Sequence, residues 1–263
     1  MLKNLLKTFF GLIFIITLAG IVEAGNLKKT KPITDGFFLS GIDGKLEACD
    51  SNETWFFKFA ADISDTKARI RAGTSVEFVP SAALEKMVSE VEKNPGNEYR
   101  LWGRISKYQG RNFIYLFYYL PISDVNQSEK QKIQPAVNEP NDELPMPENI
   151  VAKLKARKVL RTEDLLKGLE LKTDCILADR TGFISDEGNN RRVFTLDAIG
   201  RNIQKISFDL LPCQVLDSAE QHQASELDPV RFKIAGVVTK YKNKHYLLLE
   251  SANPVYSHGN FGK

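Results

Sequence analysis

The chain of 263 residues carries only three cysteines, three histidines and two tryptophans, and each shortage removes a class of protein. Three cysteines cannot close a disulfide framework, because one bridge leaves a thiol over. Cys49, Cys175 and Cys213 match no metal spacing and read as small buried residues with at most one bridge, of a pairing the sequence does not fix. His222, His245 and His258 have no ligand partner at zinc spacing. There is no nucleophile elbow, phosphate loop or metalloprotease helix, so neither a catalytic centre nor a cofactor is expected. A strong charge of either sign is missing too: 36 basic residues face 33 acidic ones, for a net charge of +3. That balance argues against a dedicated nucleic-acid binder, where a basic excess is expected.

Long apolar runs are absent except at the start. Lys3 and Lys7 precede an uncharged stretch from Phe9 to Val22, and Val22-Glu23-Ala24 has the small residues of a cleavage site. Basic, apolar and small-residue regions in that order are the parts of a secretory signal. The stretch is shorter than the roughly 20 residues a spanning helix needs, which favours a cleaved leader over an anchor. Residues 1–24 are therefore expected to be a signal peptide, and the destination periplasmic or extracellular. Cleavage leaves the mature chain close to neutral.

What the chain has in plenty is internal similarity. Tyr99-Arg100-Leu101-Trp102-Gly103-Arg104-Ile105-Ser106-Lys107-Tyr108 aligns with Phe232-Lys233-Ile234-Ala235-Gly236-Val237-Val238-Thr239-Lys240-Tyr241, and Arg111 to Leu116 aligns with Lys244 to Leu249. Upstream, Val76 to Pro80 aligns with Phe208 to Pro212, at an offset differing by one residue. Gly44-Lys45-Leu46 and Gly182-Phe183-Ile184 match as the starts of strands, and Trp55 to Phe59 matches Val193 to Leu196 as the next strand.

Period-two alternation over Tyr99–Ile105 and Phe232–Val238 predicts half-buried strands. A glycine inside each, Gly103 and Gly236, marks a shared bulge or barrel corner. Gly110 and Asn243 occupy matched turns and are residue types that tolerate positive φ, as a tight hairpin requires. The strands after those turns are apolar on both faces and should be covered on both sides. Ala83, Leu84, Met87, Val88 and Val91 recur at helical spacing behind Ser81, a natural cap. Val215, Leu216 and Ala219 suit a shorter helix in the second copy.

Each copy thus runs strand, strand, strand, helix, strand, strand. That order resembles the oligonucleotide/oligosaccharide-binding (OB) fold, a five-stranded barrel with a helix between its third and fourth strands. The resemblance implies a mainly β protein with short helices, built as two tandem OB-like barrels. The chain also resembles an exported bacterial envelope family in which such units occur in tandem. SH3-like barrels or an irregular β-sandwich are the alternatives. The expected division is a first barrel over 25–122, a polar proline-containing linker over 123–147, and a helical preface with the second barrel over 148–263. The preface rests on Ile150, Val151 and Leu154, then on Thr162 capping a helix with Leu165, Leu166 and Leu169.

The matched hairpin tips supply most candidate binding residues: Lys107, Tyr108 and Arg111 at one, Lys240, Tyr241, Lys244 and His245 at the other. Cations beside an aromatic would stack on and neutralise an anionic chain; the alternative is that the lysines solvate a turn on which the tyrosine packs, as charged turns commonly do. Trp102 is expected to point away from its own barrel between Arg100 and Arg104, as a platform or a domain contact. Lys67, Arg69 and Arg71 alternate with Ala68, Ile70 and Ala72, a basic strand face or simply a solvated one. The reading that follows is a non-enzymatic binding or scaffolding module of the envelope, its partner an envelope protein or an anionic glycan. The rival is a hydrolase of envelope polymers with carboxylates between the two units. Single-stranded nucleic acid fits the fold but neither the compartment nor the charge. N-terminal sequencing of the native protein should find Gly25 first; an intact Met1 would refute the cleaved leader.

Overall fold

The computed structural model describes residues 31–49, 54–93, 96–122, 158–161, 174–197 and 206–255. The leader, the linker and the helical preface expected from the sequence lie outside these residues.

The first copy runs β1 (Phe38–Ala48), β2 (Trp55–Phe59), a short hairpin of β3 (Ile63–Ser64) and β4 (Arg69–Ile70), β5 (Ser75–Phe78), α1 (Ala82–Val91), β6 (Glu98–Tyr108) and β7 (Arg111–Pro121). The second runs β8 (Lys158–Val159), β9 (Cys175–Asp186), β10 (Arg192–Leu196), β11 (Ser207–Leu210), α2 (Gln214–Ser225), β12 (Arg231–Tyr241) and β13 (Lys244–Pro254). Strands β1-β2-β5-β7-β6 close a barrel. The order β10-β11-β13-β12-β9 closes in the same way through an added β9–β10 pairing, with β8 parallel to β9 outside the ring.

Both closures use one antiparallel-breaking step, a parallel pairing of the third barrel strand with the fifth. Glu77 and Phe78 pair with Phe113 and Ile114, as Asp209 and Leu210 pair with Tyr246 and Leu247. With a helix between the third and fourth strands of each ring, these are two five-stranded OB-like barrels, and the repeat is structural.

The matched glycines are explained by closeness of backbones. A Cβ on Gly103 would sit 2.6 Å from the Tyr115 carbonyl oxygen, and one on Gly236 would press on that of Leu248. Both lie at bulges, where pairing slips between Trp102 and Gly103 and between Ala235 and Gly236. Gly44 and Gly182 do not start strands as expected; each sits inside a long first strand, against the carbonyls of Lys58 and Thr195. The turns are as predicted: Gln109-Gly110 and Lys242-Asn243 all have positive φ, the geometry of a two-residue hairpin.

Both helices begin on a side-chain cap. Ser81 Oγ accepts from the Leu84 amide at 3.1 Å, and Cys213 Sγ accepts weakly from the Leu216 amide at 3.4 Å. Burial pushes the Cys213 thiol up to about 11, so it stays protonated. Cys175 is buried as expected, whereas Cys49 is exposed. The second helix is longer than the first, twelve residues against ten, which corrects the expectation of a shorter one. Its second half buries little of its own; Glu220 is instead committed to contacts described below.

The basic row at Lys67, Arg69 and Arg71 is not a strand face. Only Arg69 and Ile70 are paired, in the small β3–β4 hairpin, and Arg69 bonds Asp62. Asp65 accepts from the amides of Lys67, Ala68 and Thr34 and from the Thr34 hydroxyl, which holds its carboxyl far below the usual range. The segment is a carboxylate-organised turn that also fastens residues before β1.

Gly103→Ala and Gly236→Ala should each lower stability by about 1–3 kcal/mol through forced backbone shift. The readout is the urea midpoint; unchanged midpoints would contradict the close approach.

Candidate binding site between the barrels

The two barrels belong to one compact unit, Pro32–Lys263, and the contacts between them are reciprocal. The Ala82 amide at the start of α1 donates to Thr239 Oγ1 of the second barrel at 3.0 Å. At the matched place, the Gln214 amide at the start of α2 lies 3.4 Å from Asp35 Oδ1, ahead of the first barrel's opening strand. Ser106, the counterpart of Thr239, donates to the Pro212 carbonyl at 2.6 Å. First-turn amides have no partner inside their own helix. Here each barrel supplies part of what the other's helix lacks.

Apolar side chains cross the seam in both directions. Phe113 and Tyr115 of β7 belong to the core of the second barrel, while Ile114 and Leu116 of the same strand belong to the first. Tyr241, at the tip of the second hairpin, is buried in the first barrel's core. Asp174 binds both sides, accepting from the Tyr115 hydroxyl and from Thr239 Oγ1 at 2.7 Å each. The double-sided burial expected for the strands after the hairpins is met, and the cover on the second side of β7 is the other barrel.

This changes the standing of the candidate residues. Tyr108 is not a free stacking surface; its hydroxyl donates to Glu220 of α2 at 2.7 Å, and burial beside that carboxylate raises its pKa well above the ordinary phenol. Tyr241 is 5 % exposed and closed to ligands. Lys107 and Lys240 are half-buried, and the Lys107 amide is bonded by Asp35. Arg111 and Lys244 remain exposed, with His245 half-buried beside the second tip.

Trp102 does leave its barrel core, but it is 5 % exposed and offers no platform. Its ring lies over Gly41, which has φ +65°, and against Tyr118 at 5.8 Å. A bulge in β1 between Ser40 and Ile42 makes that backbone bed possible. Arg100 is held by both Asp43 oxygens at 2.7 and 3.0 Å, and Arg104 faces Glu250 across the seam at 3.6 Å.

What the first hairpin does build is one wall of a cleft of about 250 Å³. Glu77, Tyr108, Gln109, Arg111 and Phe113 face Asn190, Arg192 and the apolar trio Leu210, Pro212 and Leu216 of the second barrel. Arg111 bonds Glu77 at 3.1 Å and lies over the Phe113 ring at 5.2 Å. Burial raises the Glu77 carboxyl above its ordinary range against the opposing pull of Arg111. Arg192 bonds Glu220 and reaches Asp186 at 2.7 Å. Sequence reasoning found Tyr108 and Arg111 but missed Glu77, Gln109, Phe113, Asn190 and Arg192, which come from separate elements. Local turn signals existed only for Gln109, beside Gly110, and for Asn190, in the Asn189-Asn190 turn. Among the described residues no cluster could hold a metal ion, and no helix is long and apolar enough to cross a membrane.

Fold and seam together define a class: a tandem pair of OB-type barrels locked face to face, with a small composite cleft. No family model matches the chain, and no curated protein matches it. Among solved structures it is similar to a chain of a replication protein A heterotrimer bound to single-stranded DNA, at 12% identity and a TM-score of 0.18. That match covers 90% of this chain and 52% of the other, so the chain spans about half its length.

Thr239→Val removes the acceptor for Ala82 and a donor to Asp174, and should cost about 1–3 kcal/mol. Both tryptophans, Trp55 and Trp102, lie in the first barrel, so their fluorescence midpoint in urea should fall although the change is in the second. An unmoved tryptophan midpoint beside a shifted circular-dichroism midpoint would mean that the barrels unfold independently.

Proposed function

We propose that the protein is a non-enzymatic binding or scaffolding module of the cell envelope, whose partner is an envelope protein or an anionic glycan. The observation that carries this reading is the composite cleft beside the first hairpin. A concave site with an apolar floor and a few converging polar groups is the usual form of a ligand site. Its opposite walls come from different barrels, which gives a reason for the barrels to be fixed together. The export expected from Lys3, Lys7 and the run from Phe9 to Val22 supplies the compartment.

The hydrolase reading keeps one supporting observation. Glu77 lines the cleft with a carboxyl raised by burial, as an acid catalyst's is. The second carboxylate, Glu220, is taken up by Arg192 and Tyr108. The binding reading is therefore the stronger.

A glycan array and a pull-down from envelope extract, each with the mature protein, test both. Arg111→Glu should weaken capture about tenfold, close to 1.4 kcal/mol. Lys240→Glu with Lys244→Glu should have a smaller effect, since that tip does not line the cleft. Equal capture by wild type and Arg111→Glu would remove the first hairpin from the site. Cleavage of a captured glycan by wild type, lost in Glu77→Gln, would replace binding by hydrolysis.

A further inference from the structure

The cleft has a chemical character that narrows its ligand. Its charges are already matched inside the protein: Glu77 with Arg111, and Arg192 with Glu220 and Asp186. Because each of these charges already has an opposite partner within bonding distance, a simple anion or cation meets a largely balanced field and gains little net attraction. Charge is therefore not what the walls are built to read.

The remaining features favour a ligand that donates and accepts at neighbouring atoms. Gln109 and Asn190 are exposed amides on opposite walls, each at a positive-φ turn position, with φ +47° and +60°. Each amide carries both a donor and an acceptor. The Glu77–Arg111 pair does the same, a carboxylate beside a guanidinium 3.1 Å away. Below them Leu210, Pro212 and Phe113 offer an apolar surface for a face of C–H groups. The volume, about 250 Å³, is under the roughly 300–1,000 Å³ of sites for drug-sized ligands. That leaves room for one ring rather than a folded chain.

Vicinal hydroxyls around a ring with a C–H face meet all these demands. We propose that the seam cleft holds a single pyranose ring of a glycan through its hydroxyls, with any acid groups of that glycan lying outside the cleft. The inference rests on the binding-module reading and goes further, because it makes recognition independent of the glycan's charge. Hydroxyls would bridge Glu77 and Arg111 on one wall and Gln109 and Asn190 at the rim, while the ring rests on Leu210 and the Phe113 edge. Burial of Glu77 strengthens its part, since a hydrogen bond to a carboxylate shielded from water is worth more than one in solvent.

The test is nitrogen-resolved NMR of the full mature chain, observing the side-chain amides of Gln109 and Asn190. The probes are methyl glycosides of glucose, mannose, galactose, N-acetylglucosamine and glucuronic acid, with dextran sulfate as a polyanion. At least one neutral glycoside should shift both amides saturably. Its affinity should change less than about twofold between about 50 mM and 500 mM salt, because no net charge is being screened. Arg111→Ala should weaken it about tenfold, the cost of one charge-assisted hydrogen bond. Arg111 is 67 % exposed, and the spectrum away from the cleft reports that the variant keeps its fold.

If every glycoside leaves the amides unmoved while dextran sulfate binds in a salt-dependent way, the pyranose site is overturned and the binding module stands. Shifts confined to residues outside the cleft overturn the site as well. If neither sugars, polyanion nor envelope protein binds, the broader reading falls with it.

Discussion

The structure depends on helix starts that neither barrel completes alone. An α-helix leaves its first amides without internal partners, and in each copy the cap satisfies only one of them. Thr239 takes the Ala82 amide, and Asp35 faces the Gln214 amide from the opposite side. Because Thr239 also donates to Asp174, and Asp174 accepts from Tyr115, one short chain of hydrogen bonds joins helix, strand and neighbouring barrel. Buried polar groups are costly when unpaired, so parting the barrels would expose or strand several at once. These directional bonds, together with the apolar side chains that cross the seam, fix the orientation of the barrels.

The seam is a two-fold arrangement within one chain, like the face of a symmetric dimer in which the same patch meets itself. Its symmetry is imperfect where it matters. Tyr108 stays at the rim and bonds Glu220, while Tyr241 sinks into the opposite core. Glu77 and Arg111 pair across neighbouring strands at the cleft, whereas the counterpart Asp209 is bonded by Arg191 from the turn side. The duplicated frame supplies rigidity, and the differences between copies supply the recognition surface.

Much of the frame was legible in the sequence. Gly103 and Gly236 announced a shared bulge or barrel corner, because a glycine repeated inside an alternating strand usually marks one, and Gly110 with Asn243 announced the hairpins. Ser81 announced a helix start. Alternation says which side chains face the barrel's own core, but not what covers the outer side. Hence alternation leaves Trp102 as either a platform or a domain contact, whereas a bulge at Gly41 beds it, and leaves Tyr108 and Tyr241 as either stacking surfaces or packed residues, whereas the opposite barrel meets both. The length of α2 was hidden for a related reason: residues such as Glu220 look solvent-facing until the partner surface is known. The cleft was the least legible feature, since one wall comes from Glu77 to Phe113 and the other from Asn190 to Leu216, far apart in the chain.

Strand β7 has a consequence beyond packing. Its successive residues feed different interiors, Phe113 and Tyr115 one way and Ile114 and Leu116 the other. A slip of one position would exchange the two sets entirely, so the register of this single strand is policed by both halves of the molecule. It acts as a common beam. A molecule bound against Phe113 rests on a strand whose neighbouring residues, Ile114 and Leu116, belong to the other interior.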